Sequence, residues 1–190
     1  MTADIAICNM ALTALGHETI AAPHERTKAA GLCRLHYHGA RRELLEAHHW
    51  AFATGAADLA LVHGVTETAT ARALGYAFAF MRPADCLKAR RLTDDAPFEP
   101  AGRLILCNVD KARLIYTRDL TESAVFPAAF TRALSFLLAS LLAVPLMQSQ
   151  KLERSMLEKY LSLVEAARET DADQGAPAGE PSVAWIEARR

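Results

Sequence analysis

Pro127-Ala-Ala-Phe-Thr-Arg-Ala-Leu-Ser-Phe-Leu-Leu-Ala-Ser-Leu-Leu-Ala-Val-Pro145 is the stretch on which the fold of this chain turns. Phe130, Ala133, Leu134, Leu137, Leu138, Leu141 and Leu142 recur at helical spacing. Apolar groups cover most faces of that helix, which places it at the centre of a core with other helices around it. Pro145 has no N–H and crowds the preceding turn, so the helix is expected to end or kink there. The apolar run from Phe136 to Met147 is about 12 residues long, too short for the ~20 that span a bilayer and suited to a buried helix.

On the C-terminal side, a further helix is expected over about 146–170. Leu152, Met156, Tyr160, Leu163 and Ala167 form its apolar stripe, with Arg154, Glu158, Lys159 and Arg168 outside it. From Thr170 the composition shifts, and 171–181 is rich in Asp, Gly, Ala and Pro, as in a flexible tail. Val183, Trp185 and Ile186 follow, flanked by Glu187, Arg189 and Arg190. Apolar anchors beyond such a segment suit docking on a partner or a neighbouring subunit; the alternative is that they fold back on their own domain.

On the N-terminal side lie two more helical patterns. In 3–16, Ile5, Cys8, Leu12 and Leu15 share a face, Thr2 or Asp4 can cap the start, and Gly16 stands where a left-handed cap is wanted. A long helix is expected from about Glu25 to Ala53, with Ala29, Cys33, Tyr37, Ala40, Leu44, Ala47 and Ala51 on its stripe and Arg34, Arg41, Arg42 and Glu46 off it. Between the two helix pairs the pattern changes. Residues 58–63 and 75–82 read as strands, the second with Tyr76, Phe78 and Phe80 on one face. Residues 83–88 read as a short helix opened by Pro83. Residues 103–107 and 112–117 read as a hairpin joined through Asn108-Val-Asp-Lys111.

The expected fold is therefore mainly α with a small β insertion (α+β). A four-helix bundle core occupies 1–170, a β hairpin or sheet is inserted at about 55–120 between its second and third helices, and an extended tail covers 171–190.

The bulk composition excludes several function classes. A net charge of -1 gives no general basic surplus for gripping DNA phosphates. The four cysteines, Cys8, Cys33, Cys86 and Cys107, form no C-x-x-C pair and read as reduced, mostly buried thiols. Met1 to Met10 carries Asp4 and no basic region before an apolar run, unlike a secretory signal. Cys33, His36 and His38, with His48 and His49, tempt a metal reading. On a helix, however, His38 is turned about 200° from His36, so these ligands do not converge. There is no G-x-S-x-G, no phosphate-cradling glycine motif and no glycine-flanked cysteine beside a base. Asp85 reads as holding a helix start, and Asp94-Asp95 as a solvated turn. The doublets Arg41-Arg42 and Arg90-Arg91 could meet phosphates, but a doublet is usually just surface charge. No catalytic residue, cofactor or metal ligand is expected.

In order along the chain stand Asn9-Met-Ala-Leu-Thr-Ala-Leu-Gly16, Arg41-Arg-Glu-Leu-Leu45, His49-Trp-Ala-Phe-Ala53, Tyr76-Ala-Phe78, Pro83-Ala-Asp-Cys-Leu87, Tyr116, Phe126-Pro127, Phe130, Ala133-Leu134 and a tryptophan near the end. Read together, they resemble the head-to-tail connector (adaptor) family of short-tailed bacteriophages, the tail tubular protein A-like group. The resemblance implies a non-enzymatic virion protein that assembles in the host cytoplasm as a homo-oligomeric ring of about twelve copies. Its partners would be further copies of itself, the phage portal protein and a tail or nozzle protein. DNA would pass through the lumen during genome ejection without specific contact, and no membrane is involved. Val183, Trp185 and Ile186, with Tyr76 and Phe78, are the expected partner-binding residues. The alternative is a small cytosolic helical binding module or regulator that forms no ring. A small hydrolase or metal enzyme using the His-rich helix is a further rival.

Overall fold

The computed structural model describes residues 3–175, with side chains through Glu169; Val183, Trp185 and Ile186 lie outside the described residues. The fold is α+β, with five helices and two small antiparallel sheets among the described residues. Helix α1 (Ala3–Ala14) buries Ile5, Ile7, Cys8, Ala11 and Leu12. It ends as the sequence suggests. Gly16 takes φ 74°, its N–H reaches Thr13 O at 3.0 Å, and the His17 N–H reaches Leu12 O at 2.9 Å, so two end carbonyls are satisfied by a left-handed cap. Asn9 then clamps the following loop, donating to Ile20 O (3.0 Å) and accepting from Ile20 N–H (2.9 Å).

Helix α2 (Lys28–Ala47) starts at Thr27, whose hydroxyl accepts the Ala30 N–H. Ala29, Cys33, Tyr37, Ala40 and Leu44 are buried as expected, but Ala47 and Ala51 are exposed, because the helix stops six residues short of the expected end. The reason lies in distant residues. The Arg90 guanidinium donates to Leu45 O, Glu46 O and His48 O, Lys88 Nζ donates to Glu46 O, and Arg168 donates to Ala47 O. Three cations thus gather the terminal carbonyls, where the helix dipole favours positive charge. The chain then folds back through a short 3-10 turn, Ala51–Ala53. Arg41, expected off the stripe, is 3% exposed.

Helix α4 (Ala128–Met147) is the central helix, burying Phe130, Leu134, Leu138 and Leu142 among others. At 20 residues and hydropathy 1.8 it is long and apolar enough to cross a bilayer by length and composition alone, which revises the shorter estimate from the apolar run. Here it is the middle of a core built by α1, α2, α4 and α5 (Gln150–Gly175). Pro145 does not end it. It sits in the last turn, where a missing N–H costs one bond, and the helix ends two residues later at Met147, capped by Gln148 in the left-handed region (φ 52°). Pro145 O in turn accepts from Lys28 Nζ, which ties the end of α4 to the start of α2. Helix α5 packs through Met156, Tyr160, Val164 and Ala167, with Leu152 and Leu163 alongside.

Among the described residues every strand lies between α2 and α4: β1 (Thr54–Asp58), β2 (Ala60–Leu61), β3 (Phe78–Met81), β4 (Cys86–Leu92), β5 (Phe98–Ala101), β6 (Leu104–Cys107) and β7 (Arg113–Arg118). One sheet has the order β1-β7-β4 and the other β2-β3-β6-β5. The expected hairpin is not made: β6 pairs with β3 and β5, whereas β7 pairs with β1 and β4. Strand β6 is apolar on both faces. Ile105 and Cys107 face a core shared with Leu114 and Tyr116 of β7, and Leu106 faces Ala71 of helix α3 (Val65–Ala73). A strand needing cover on both faces sits inside a sheet, so β6 and β7 meet across an apolar layer instead of edge to edge.

Other expectations shift for local reasons. The strand at 58–63 is split into β1 and β2 at Leu59, where the chain changes sheets. Residues 83–88 are not helical: a turn closed by Cys86 N–H to Pro83 O (3.0 Å) leads directly into β4. Helix α3 and strands β4 and β5 carry weak periodicity and were not anticipated. Gly55 of β1 lies under Tyr116 of β7, where a Cβ would come within 2.8 Å of the tyrosine ring, so glycine permits that close approach.

Candidate functional site

Several of the residues singled out in the sequence, among them Arg41, Asp85, Tyr116 and Phe130, meet at the seam between the helical core and the β1-β7-β4 sheet. Trp50, just past α2, is fully buried. Its indole N–H donates to Leu44 O at 2.8 Å, and its ring meets Phe130 edge-on at 5.3 Å. Phe52 and Phe126 complete the cluster, each about 5 Å from the Phe130 ring. One segment before the sheet, one after it and the central helix are thereby joined through aromatic contacts.

A polar half of the seam lies alongside. The Arg41 guanidinium donates to Leu120 O and, at 2.7 Å, to Asp119 Oδ1; Arg42 approaches Asp119 Oδ2 at 3.4 Å. The Asp119 N–H donates to Asp85 O at 2.7 Å. Asp85 itself accepts from the Tyr116 hydroxyl (2.9 Å) and the Arg118 guanidinium (2.9 Å). Asp85 therefore holds a turn between two sheet strands and is not a helix cap. Burial alone would raise its carboxyl, but the bonds from Arg118 and Tyr116, with the Arg118 charge, outweigh burial and hold it below the usual carboxylate range. Tyr116 is pushed up to about 12 by burial and by its bond to the Asp85 carboxylate. Near neutrality one group is thus a fixed acceptor and the other a fixed donor, the arrangement of a clamp and not of a proton-transfer pair.

Asp85 has a pH consequence. A depressed folded value means its contribution is present above the ordinary carboxylate range and is lost as pH falls below about 4. Asp85→Asn should remove that part of the acid sensitivity while costing about 1 kcal/mol or less at neutral pH, since both partners are roughly half exposed. Urea midpoints for the two proteins between neutral pH and pH 3 should converge on acidification; parallel curves would show that the ion pair does not contribute.

The basic doublets are taken up within the chain. Arg41 and Arg42 meet Asp119, Arg90 caps α2 and bonds Thr117 Oγ1, and Arg91 approaches Asp95 at 3.4 Å. Along α2, Cys33 is buried and His38 exposed, and no group of three His, Cys, Asp or Glu residues able to hold a metal occurs among the described residues. Tyr76 and Phe78 do not present a joint aromatic face. Tyr76 packs half-buried against Ala71, Ala79 and Leu106, whereas Phe78 packs half-buried in the layer between the sheets beside Phe80. The turn of chain between α3 and β3 separates them.

Sequence reasoning missed a groove of about 620 Å³ where the chain crosses from β1 to β2, lined by Asp58, Leu59, Met81, Arg82, Pro83 and Arg103 among others. Its residues come from three separated segments, so no local signal marks it. It also missed the exposed leucines: Leu35 on α2 is 69% exposed, and Leu157 and Leu161 on one face of α5 are 41% and 55% exposed. No known family model matches this chain, and no curated protein matches it.

Proposed function

We propose that this chain is a structural adaptor of a short-tailed bacteriophage, forming a ring between portal and tail around the conduit for DNA. The observation carrying the proposal is where several of the sequence landmarks of that resemblance meet. Arg41-Arg42, Trp50 and Phe52, Asp85, Tyr116, and Phe126 with Phe130 come from five separated segments, and all of them take part in the seam joining helices to sheet. Their shared place in one seam is what supports the reading. In this reading α1, α2, α4 and α5 act as a four-helix bundle that forms the rigid wall of the ring.

The exposed leucines of α2 and α5 suit lateral contacts, which a closed ring repeats at every subunit boundary. The groove beside β1 and β2 suits a segment of the portal or nozzle protein. The near-neutral charge and the internally paired arginine doublets suit a lumen through which DNA slides without being held.

Electron microscopy of the chain mixed with the portal ring from the same genome tests the proposal. A second ring stacked on the portal is the expected result. Portal rings that remain bare at low and at physiological salt, with the chain monomeric or dimeric beside them, would replace this reading with that of a small helical binding module.

A further inference from the structure

We propose that Cys8 and Cys33 form a peroxide-responsive dithiol site, which closes to a disulfide joining α1 to α2. The two residues lie on the facing sides of their helices. Cys8 belongs to the buried face of α1 with Ile5 and Leu12, and Cys33 to the buried stripe of α2 between Ala29 and Tyr37. Both thiols line one small cavity of about 100 Å³ between the helices, together with Asp4, Arg34, Tyr37 and His38. Liquid water occupies about 30 Å³ per molecule, so this space is large enough to hold hydrogen peroxide. A polar flank is present as well, since the Tyr37 hydroxyl donates to Asp4 Oδ1 at 2.8 Å beside the thiols.

The two sulfurs are not equivalent. The neighbouring Cys8 thiol holds Cys33 below the usual thiol range against the effect of burial, whereas Cys8 is raised by Cys33 and by burial. Burial raises Cys86 and Cys107, each in the separate core between the sheets. With its partner thiol on the same cavity, Cys33 is the cysteine that attacks in this proposal. Its thiolate attacks one peroxide oxygen; the O–O bond breaks, and the hydroxide leaves as water after taking up the thiol's proton. The resulting sulfenic acid is attacked by Cys8 Sγ; the S–S bond forms, the S–O bond breaks, and a second water leaves with the Cys8 proton. Two thiols lose two electrons and one peroxide gains them. The bond closes a loop of roughly 25 residues, long enough to constrain the unfolded chain.

The test uses the full reduced chain, freed of reductant and treated with one equivalent of hydrogen peroxide. Thiols are counted in denaturant, and peptides are mapped by mass spectrometry without reduction. Two of the four thiols should disappear, and the peptides carrying Cys8 and Cys33 should be recovered joined, lighter by two hydrogens. The melting temperature should rise by roughly 10 °C and return on adding dithiothreitol. Cys33→Ser should keep its three remaining thiols at the same dose, and Cys86→Ser should behave like the parent. Recovery of Cys8 and Cys33 as free thiols, as separate oxidised acids, or in bonds to Cys86, Cys107 or another copy would overturn the proposal. The map of the parent protein decides even if the Cys33→Ser variant does not fold.

Discussion

Replacing Trp50 by alanine should destabilise the folded chain by about 3–5 kcal/mol, the largest effect expected of any single substitution here. Three contributions add at this position. The indole is 2% exposed, so its truncation leaves a large cavity in the helical core. Its ring meets Phe130 edge-on at 5.3 Å and His48 edge-on at 4.9 Å, geometries favoured by the aromatic quadrupole. Its N–H satisfies Leu44 O, one of the last four carbonyls of α2, which have no partner within the helix. Trp50→Phe keeps most of the ring and loses the bond, so it should cost less, about 1–2 kcal/mol. Urea unfolding at neutral pH measures both. A loss below 1 kcal/mol for the alanine variant would mean that the seam unfolds independently of the helical core.

Arg41→Ala should cost about 2–4 kcal/mol. A buried guanidinium is stable only with partners, and this one has Asp119 Oδ1 and Leu120 O. Removing it leaves Leu120 O without that donor and Asp119 with the weaker approach of Arg42 at 3.4 Å. Asp119 remains 28% exposed, so water relieves part of the penalty and keeps the loss below that of a fully enclosed pair. Arg41→Lys should restore little, because a single ammonium cannot serve both acceptors with the geometry of the guanidinium fork. Arg42→Ala, at a side chain 55% exposed, should cost under about 1 kcal/mol. If the two arginine variants lost equal stability in the same unfolding assay, the distinction between buried and solvated members of the doublet would fail.

The doublet illustrates the limit of reading sequence. Arg41 and Arg42 are equivalent in the sequence: adjacent, basic and off the apolar stripe. Their difference arises when Asp119, far along the chain, is brought beside them. The same holds for Arg90, which reads as surface charge and serves as the cap of a helix from another part of the chain. Long-range partners of this kind leave no periodic trace.

Periodicity did mark the four long helices. α1, its left-handed cap at Gly16, the central position of α4 and the stripe of α5 follow from apolar spacing, because a helix repeats its environment every three to four residues and its burial depends on that repeat. The end of α2 was not marked, because the residues that stop it are Lys88, Arg90 and Arg168. The strands were harder. Tyr76 and Phe78 differ by two positions and read as one face, yet the strand begins only at Phe78, and Tyr76 closes α3 through its N–H to Ala71 O (2.8 Å).

Residue spacing along the chain is enough to set the order of helix, β region and helix, and the apolar face that each long helix buries. These depend on local spacing and on the aversion of apolar side chains to water. Tertiary structure alone decided which strands pair, where α2 stops, which arginine is buried and which thiols meet. Strand pairing, capping, ion pairing and thiol contact all act between groups distant in the chain, and their energies depend on distances that only the folded chain defines.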